Sequence, residues 1–124
     1  MRDDAEGRTG RIPFLEVADV SRSKLVDYLL SESHPAGLAK ARFFLGLGFR
    51  AERQELLRRA LLRHAERNPV VLRQKTAFGS KYVVDGVLEG PSGRQALVRS
   101  VWFVETGISI VRFVTAYPAP RGNR

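Results

Sequence analysis

The sequence predicts an α+β domain in which about three helices precede a four-stranded antiparallel β-meander. Apolar residues recur every three or four positions as far as Asn68-Pro69, and at every second position beyond it. The alternating segments follow one another through short glycine-containing turns, which join antiparallel neighbours. With 124 residues, 44% of them hydrophobic, the chain has the length of one domain and enough apolar residues for a core.

The predicted helices all lie before Pro69. The first covers residues 22–30 and has Ser21 as its N-cap. The second begins near Pro35, a residue suited to a first helical turn, and ends at the glycines that follow Leu45. The third covers residues 52–67 and shows the clearest apolar stripe, so we expect its arginines to form a solvated face.

The four predicted strands fill the second half of the chain. Their expected ranges are residues 70–76, 81–88, 94–105 and 108–117. Glycine-containing turns separate them, the strongest being Gly90-Pro91-Ser92-Gly93. Strands that follow a block of helices predict a sheet with the helices on one of its faces.

The ends of the chain differ in composition from its centre. We expect residues 1–11 to be a flexible lead-in, 12–118 to be the single α+β domain, and 119–124 to be a flexible tail. The first residues lack the apolar segment of a signal peptide, and no stretch approaches the roughly 18 apolar residues of a membrane span. With no cysteine in the chain, these features favour a cytoplasmic location without membrane contact.

Several classes of enzyme are disfavoured by the residues present. The absence of cysteine removes thiol nucleophiles, zinc–thiolate sites and iron–sulfur clusters. His34 and His64 lack the spacing of metal ligands, and the strands hold only three scattered acids. There is no Walker loop, GxSxG elbow or HExxH sequence. We therefore expect neither a metal nor a small-molecule cofactor.

The charge of the chain points to anionic partners. Its formal net charge is +8, which favours nucleic acid, an acidic protein or an anionic membrane surface without choosing among them. Basic side chains interrupt otherwise apolar strands at Arg73, Lys75, Lys81, Arg99 and Arg112. Unpaired charges are costly to bury, so these side chains should face solvent or a cleft. A basic sheet face of this kind could hold a phosphate backbone, or could simply be solvated.

Four motifs in order resemble a bacterial family of domains of unknown function. The segment HPAGLAKARFFLGLGF at residues 34–49 resembles the HPxGxxKAxFFxxLGF signature of that family. The later segments are KTAFGSKYVVDG at 75–86, GPSGR at 90–94 with VRSVW at 98–102, and VTAYP at 114–118. Together with the lead-in from Ile12, the resemblance covers about residues 12–118. Ser100 departs mildly from it, since threonine is usual there.

The resemblance carries functional implications. The layout of that family is similar to the barnase–EndoU–colicin–RelE superfold of metal-independent ribonucleases, which use an open sheet face, and to toxin domains paired with immunity or antitoxin proteins. It implies catalytic residues drawn from His34, Lys40, Lys81, Arg94 and Arg99, with His34 as base or acid. It implies RNA or phosphate contacts from Arg73, Lys75, Tyr82, Trp102 and Thr115. RNA and a cognate acidic immunity or antitoxin protein are the implied partners.

Alternatives remain open at this level. The same charge fits a non-enzymatic module that pairs with a small acidic protein, or passive binding of nucleic acid through phosphate contacts. His64 lies beside the apolar stripe of the third helix, which favours a packed histidine over a catalytic one. His34 precedes Pro35 at a helix start, where a capping role is also open.

Overall fold

The protein is described by a computed structural model covering residues 12–13, 18–31 and 38–120, with only the backbone described at Asp27 and Tyr28. Its helical elements are α1 (Arg22–Lys24), a π-helical turn (Leu25–Leu29), α2 (Leu38–Gly46), a 3₁₀ turn (Ala51–Arg53) and α3 (Gln54–Arg67). Its strands are β1 (Val70–Lys75), β2 (Gly79–Glu89), β3 (Gln95–Glu105) and β4 (Val111–Pro118). The structure confirms the predicted α+β class with three helices before an antiparallel meander.

Two turns shift the strand limits from those predicted. Thr76 closes the β1–β2 turn, because its backbone N–H donates to the Gly79 carbonyl at 2.7 Å and its hydroxyl accepts from the Gly79 N–H at 3.2 Å. β2 therefore starts at Gly79. After β3, the Ile108 N–H donates to the Glu105 carbonyl at 3.0 Å, so the chain turns there and β4 starts only at Val111.

The sheet has the order β1-β2-β3-β4, and one of its faces packs on the helices. Side chains of that face and of the helices form one core, whose largest fully buried members are Trp102, Phe44, Phe49, Leu25, Leu29, Leu57 and Leu61. Trp102 and Phe113 meet edge to face with ring centroids 5.2 Å apart. The described residues include no helix long and apolar enough to cross a membrane.

The other side of the sheet, which we call the open face, carries the alternate residues of the strands. On β2 and β3 these are Lys81, Val83, Asp85, Val87, Leu97, Arg99, Val101 and Phe103. Val87 and Leu97 lie opposite each other at one end and are 50% and 60% exposed. The two alternating sets of β2 and β3 agree with the prediction from the period of two.

A β-bulge in β1 changes which face its cations occupy. Val70 pairs with Val84 on the core side, and a regular ladder from there would place Arg73 opposite Lys81. The register instead shifts by one residue between Val70 and Leu72, so that Arg73 lies opposite Tyr82. Directly opposed residues of antiparallel strands point to the same face, so Arg73 lies on the helix side of the sheet.

Lys75 follows the same shift and lies opposite Ser80. The expectation that Arg73 and Lys75 share a basic face with Lys81 and Arg99 is therefore wrong. A bulge adds one residue without leaving a signature in the polar and apolar pattern, and this single residue moves every later side chain of the strand to the other face.

The turn between β2 and β3 is attached to the end of α2. Gly90 has no room for a Cβ, because such an atom would collide with the Leu47 carbonyl oxygen. The Ser92 hydroxyl donates to the Leu47 carbonyl at 2.9 Å, and Arg94 Nη1 donates to the Gly46 carbonyl at 3.2 Å. These bonds satisfy carbonyl groups that a helix end leaves without partners. The GPSGR motif is thus explained by this attachment.

Candidate functional site

An ion pair lies near the centre of the open face. Arg99 and Asp85 are directly opposed on β3 and β2, with Nε donating to Oδ1 at 2.7 Å and Nη2 to Oδ2 at 2.8 Å. Each side chain is 29% exposed. The hydrogen bonds that Arg99 donates to Asp85 raise the pKa of Arg99 above its usual value, outweighing the effect of burial, and Tyr117 adds to this. The guanidinium is therefore a fixed cation in a defined orientation.

Two side chains of β4 continue the row across the sheet. Tyr117 lies opposite Arg99, and Thr115 lies opposite Val101 on the same face. Both are half-buried. Their position next to the ion pair brings two hydroxyl groups to the edge of the open face.

A lysine from α2 reaches this row across the edge strand. Lys40 Nζ donates to Thr115 Oγ1 at 3.3 Å and lies 5.4 Å from the centroid of the Tyr117 ring. α2 packs against β4, which places its side chains beside that edge. We call these five side chains the Arg99 cluster: Lys40, Asp85, Arg99, Thr115 and Tyr117.

The chemistry of the Arg99 cluster suits a phosphate group. Lys40 and Arg99 supply two cations, and Thr115 and Tyr117 supply hydroxyls that both donate and accept hydrogen bonds. Positioned cations of this kind stabilise the charge that builds up on phosphate oxygens during transfer. Asp85 offsets part of the positive charge and fixes the Arg99 fork.

A second basic row lies toward the other end of the open face. Lys81 lies opposite Phe103, and Phe103 lies opposite Arg112. The Arg112 guanidinium carbon is 5.7 Å from the Phe103 ring centroid. Its contact with Glu105 spans 3.9 Å between exposed groups and is worth little in water. Lys81 and Arg112 therefore extend the positive charge of the face.

Arg73 and Tyr82 interact with each other on the helix side of the sheet. Arg73 Nε donates to the Tyr82 hydroxyl at 3.4 Å, and its guanidinium carbon lies 5.9 Å from the ring centroid. Tyr82 is buried. Lys75 is exposed near the end of β1. The structure does not bring these three residues to the Arg99 cluster.

Trp102 also lies outside the cluster. Its side chain is fully buried, and its indole N–H donates to Ser100 Oγ at 2.8 Å. It has no exposed surface with which to contact RNA. Its neighbour Val101 is on the open face, so the alternation of β3 sends the two side chains in opposite directions.

His64 belongs to the same buried network. Its Nε2 lies 2.9 Å from the Val98 carbonyl and 3.2 Å from the Gly86 carbonyl, so this nitrogen carries the proton and donates. Nδ1 then accepts from Ser100 Oγ at 3.0 Å. Burial lowers the pKa of His64, although the two carbonyls oppose this shift. The structure confirms the interpretation of His64 as a packed histidine.

Arg94 and His34 complete the set of predicted catalytic residues. Arg94 binds the end of α2, and five residues of extended chain, about 17 Å, separate it from Arg99 along the strand. His34 lies outside the described residues. Of the predicted site residues, the structure brings together Lys40, Arg99 and Thr115, with Lys81 farther along the same face.

The sequence reasoning missed Asp85 and Tyr117 as members of the site. The alternation of β2 already placed Asp85 on the face of Lys81, and Tyr117 lies within the VTAYP motif. Neither observation shows that both side chains flank Arg99, because that depends on the register between strands. The part of the chain that the structure describes contains no group of three or more histidine or acidic side chains that could hold a metal ion.

Comparisons with known proteins show what this fold and sequence are similar to. Among the solved structures, a similar chain has a TM-score of 0.62 and 22% identity over 87% of this chain and 98% of its own length. It belongs to a contact-dependent growth inhibition toxin–immunity protein complex from Klebsiella pneumoniae 342. No curated protein matches. The model of a family described as a domain of unknown function, DUF6883, matches residues 11–120, and the chain therefore belongs to that family.

Proposed function

We propose that the chain is a toxin-type endoribonuclease domain that cleaves RNA at the Arg99 cluster without a metal ion. The observation that carries this proposal is the convergence of Lys40, Thr115 and Tyr117 on the Arg99–Asp85 pair. The fold likeness to a chain of a toxin–immunity complex supports a role in a toxin–immunity pair. The net charge of +8 supports a polyanionic substrate.

The proposed reaction uses the ribose 2′-hydroxyl as the nucleophile. Its oxygen forms a bond to the adjacent phosphorus, its proton passes to a base, and the bond to the 5′-oxygen breaks as that oxygen gains a proton. The products carry a 2′,3′-cyclic phosphate and a 5′-hydroxyl. The phosphate oxygens gain charge on the way, and Lys40 and Arg99 are placed to stabilise them.

Proton transfer requires further groups. Tyr117 has a hydroxyl beside Arg99, and Thr115 holds the Lys40 ammonium by a hydrogen bond. His34 was predicted from the sequence as base or acid, and that role stays a prediction. In this mechanism Thr115 is a positioning residue that acts through Lys40.

The test is cleavage of tRNA and mRNA by the purified chain in the presence of EDTA. We expect cleavage by the wild type and a loss of about 100-fold or more in Lys40→Ala, in line with the contribution of one electrostatic group. Thr115→Val should cost less, about 10-fold, because it disturbs only the position of Lys40. Lys75→Ala, which removes an equal charge from the end of β1, is the matched control and should keep full activity.

The outcomes decide between this function and the alternative. If the wild type leaves both RNAs intact and its expression does not slow growth, the ribonuclease proposal fails. The charge would then favour a non-enzymatic basic module bound by a small acidic protein of the immunity or antitoxin kind. The double variant Lys81→Ala, Arg99→Ala separates the two functions. If the chain is the enzyme, this variant should lose its toxicity and still bind such a partner.

A further inference from the structure

Two adjoining clefts lie between α3 and the hairpin of β2 and β3. Their volumes are about 340 Å³ and 280 Å³, and Ala60, Arg63 and Glu89 line both of them. Arg67 lines the first cleft and Arg59 the second. The three arginines are four residues apart on α3, a rise of about 6 Å from one to the next. We call this feature the α3 groove.

The α3 groove exists because β1 does not extend along the whole edge of β2. β1 pairs with β2 only as far as Val84. The next part of β2 meets the end of α3, where the Asn68 side chain occupies the space that a Cβ on Gly86 would need. Beyond that contact, no strand of the described chain covers this edge of β2 at residues 87–89. The free edge and α3 form the two sides of the groove.

The charge of the α3 groove is positive. Arg59, Arg63 and Arg67 are exposed, and none of them forms an ion pair with another described residue. Glu89 is the one acidic side chain among those that line the two clefts, and it also forms no ion pair with a described residue. Three cations against one carboxylate leave a net positive groove. Arginine presents a planar fork of donors that fits phosphate oxygens.

The α3 groove leads to the open face. Val87 lines the first cleft and also lies on the open face opposite Leu97. Asp85 of the Arg99 cluster is two residues away on the same strand, a distance of about 7 Å. A chain of phosphates lying in the groove can therefore pass the free edge of β2 and reach the cluster. This continuity favours the substrate itself as the occupant over a separate acidic protein.

We propose that the α3 groove binds consecutive phosphates of the RNA strand whose cleaved bond lies at the Arg99 cluster. This inference rests on the proposed ribonuclease function, to which it adds a second contact region. It predicts that the enzyme holds its substrate over several nucleotides. It also assigns a role to arginines that helical periodicity alone places on a solvated face.

The test measures binding apart from cleavage. A fluorescent single-stranded RNA with 2′-O-methyl groups has no free 2′-hydroxyl to act as the nucleophile, so anisotropy reports binding alone. The dissociation constant is measured over a range of salt concentrations for the wild type and for Arg59→Gln, Arg63→Gln, Arg67→Gln. Each lost phosphate contact to a single strand lowers the slope of log K against log salt by about 0.7, so we expect the triple variant to lose about 2.

Two further variants make the test specific. Arg22→Gln, Arg42→Gln, Arg53→Gln removes the same net charge from exposed positions outside the groove and should change the slope much less. Glu89→Gln removes the carboxylate that lines both clefts and should tighten RNA binding. Melting temperatures close to that of the wild type confirm that each variant is folded.

Every outcome bears on the inference. Equal loss of slope in the two triple variants would show that only net charge matters, which overturns the groove. Poly-glutamate serves as a second probe, in place of an acidic protein. If the groove triple variant binds poly-glutamate more weakly than the wild type but binds RNA equally well, the groove belongs to an acidic protein and the inference is overturned. The proposed function is read independently from cleavage of unmodified RNA by the wild type, so a failure of either idea can be told from a failure of the other.

Discussion

At the scale of single residues, His64 is a titratable group that folding keeps neutral. Its Nε2 donates to the Val98 carbonyl, its Nδ1 accepts from Ser100, and Ser100 in turn accepts from the Trp102 indole. Protonation of Nδ1 would remove its lone pair and oppose the existing bond from the hydroxyl. The Ser100 hydroxyl joins the imidazole to the indole, so the network depends on it.

This network predicts a stability that depends on pH. Burial lowers the pKa of His64 in the folded state, so the unfolded chain binds the proton more readily. The contribution of His64 is therefore fully present above about pH 6.5, the pKa of an unperturbed histidine, and is lost as the pH falls toward the folded value. Urea unfolding at pH 8 and pH 5 measures it.

The matched variant is His64→Gln. We expect it to lose about 2–3 kcal/mol of unfolding free energy at pH 8, because the buried Ser100 and Val98 groups lose bonding partners. It should also show a smaller difference between pH 8 and pH 5 than the wild type. An equal difference in both proteins would contradict the role of His64.

Asp85 allows binding and catalysis to be separated. Its carboxylate fixes Arg99 through two hydrogen bonds and also repels phosphate. In Asp85→Asn we expect RNA to bind more tightly, because one negative charge is removed, while single-turnover cleavage slows about 10-fold because Arg99 is less well positioned. Anisotropy and single-turnover kinetics measure the two effects. Equal fold-changes in the dissociation constant and in the single-turnover rate would argue against a positioning role for Asp85.

At the scale of elements, the bulge in β1 makes a prediction about two similar cations. Lys81 lies on the open face with the Arg99 cluster, whereas Arg73 lies on the helix side with Tyr82. Lys81→Ala should therefore slow RNA cleavage several-fold, and Arg73→Ala should leave the rate at saturating RNA nearly unchanged. Steady-state kinetics on a short RNA compare the two variants. A larger loss in Arg73→Ala would contradict the register.

The attachment of the β2–β3 turn to α2 predicts effects on stability alone. Ser92→Ala removes the hydroxyl bond to Leu47 and should cost about 1 kcal/mol of unfolding free energy. Arg94→Gln removes the bond to Gly46 and should cost a similar amount or less, since the group is exposed. Both variants should cleave RNA at the wild-type rate per folded molecule. A large loss of activity in Arg94→Gln would restore its predicted catalytic role.

Elements were more predictable from the sequence than their relation to each other. Periodicity located α2, α3 and all four strands, because burial on one side of an element imposes its own spacing on apolar residues. The first helix is only three residues long before it widens into a π-helical turn, which periodicity over two turns does not reveal. The pattern of residues within β1 did not predict its bulge, because a bulge depends on how two strands pair.

At the scale of the whole molecule, the net charge of +8 predicts a steep effect of salt on function. Binding of a polyanion is driven by release of counterions, so under the proposed function the second-order rate of RNA cleavage should fall by 10-fold or more as salt rises from about 50 to 200 mM. The core is apolar, so the free energy of unfolding should change much less over the same range. Cleavage kinetics at low RNA concentration and urea unfolding measure the two quantities.

The candidate site was only partly predictable because its members are distant in the sequence. The resemblance singled out Lys40, Arg99 and Thr115, and the fold brings them together from α2, β3 and β4. It singled out Trp102 and Arg94 equally, although one is buried in the core and the other binds a helix end. A motif marks residues under constraint without separating constraints on folding from those on chemistry.

The bulge at Val71 also matters for how related sequences change over time. Loss of the Val71 codon would restore a regular ladder and leave Arg73 opposite Tyr82, whereas a regular ladder that kept Val71 would turn Arg73 toward the open face. Two descendants could then differ in the surface they present to a substrate without differing at any aligned basic position. Loss of the bulge with Val71 retained is thus a heritable change of orientation, and relatives should be compared by strand register before their cations are equated.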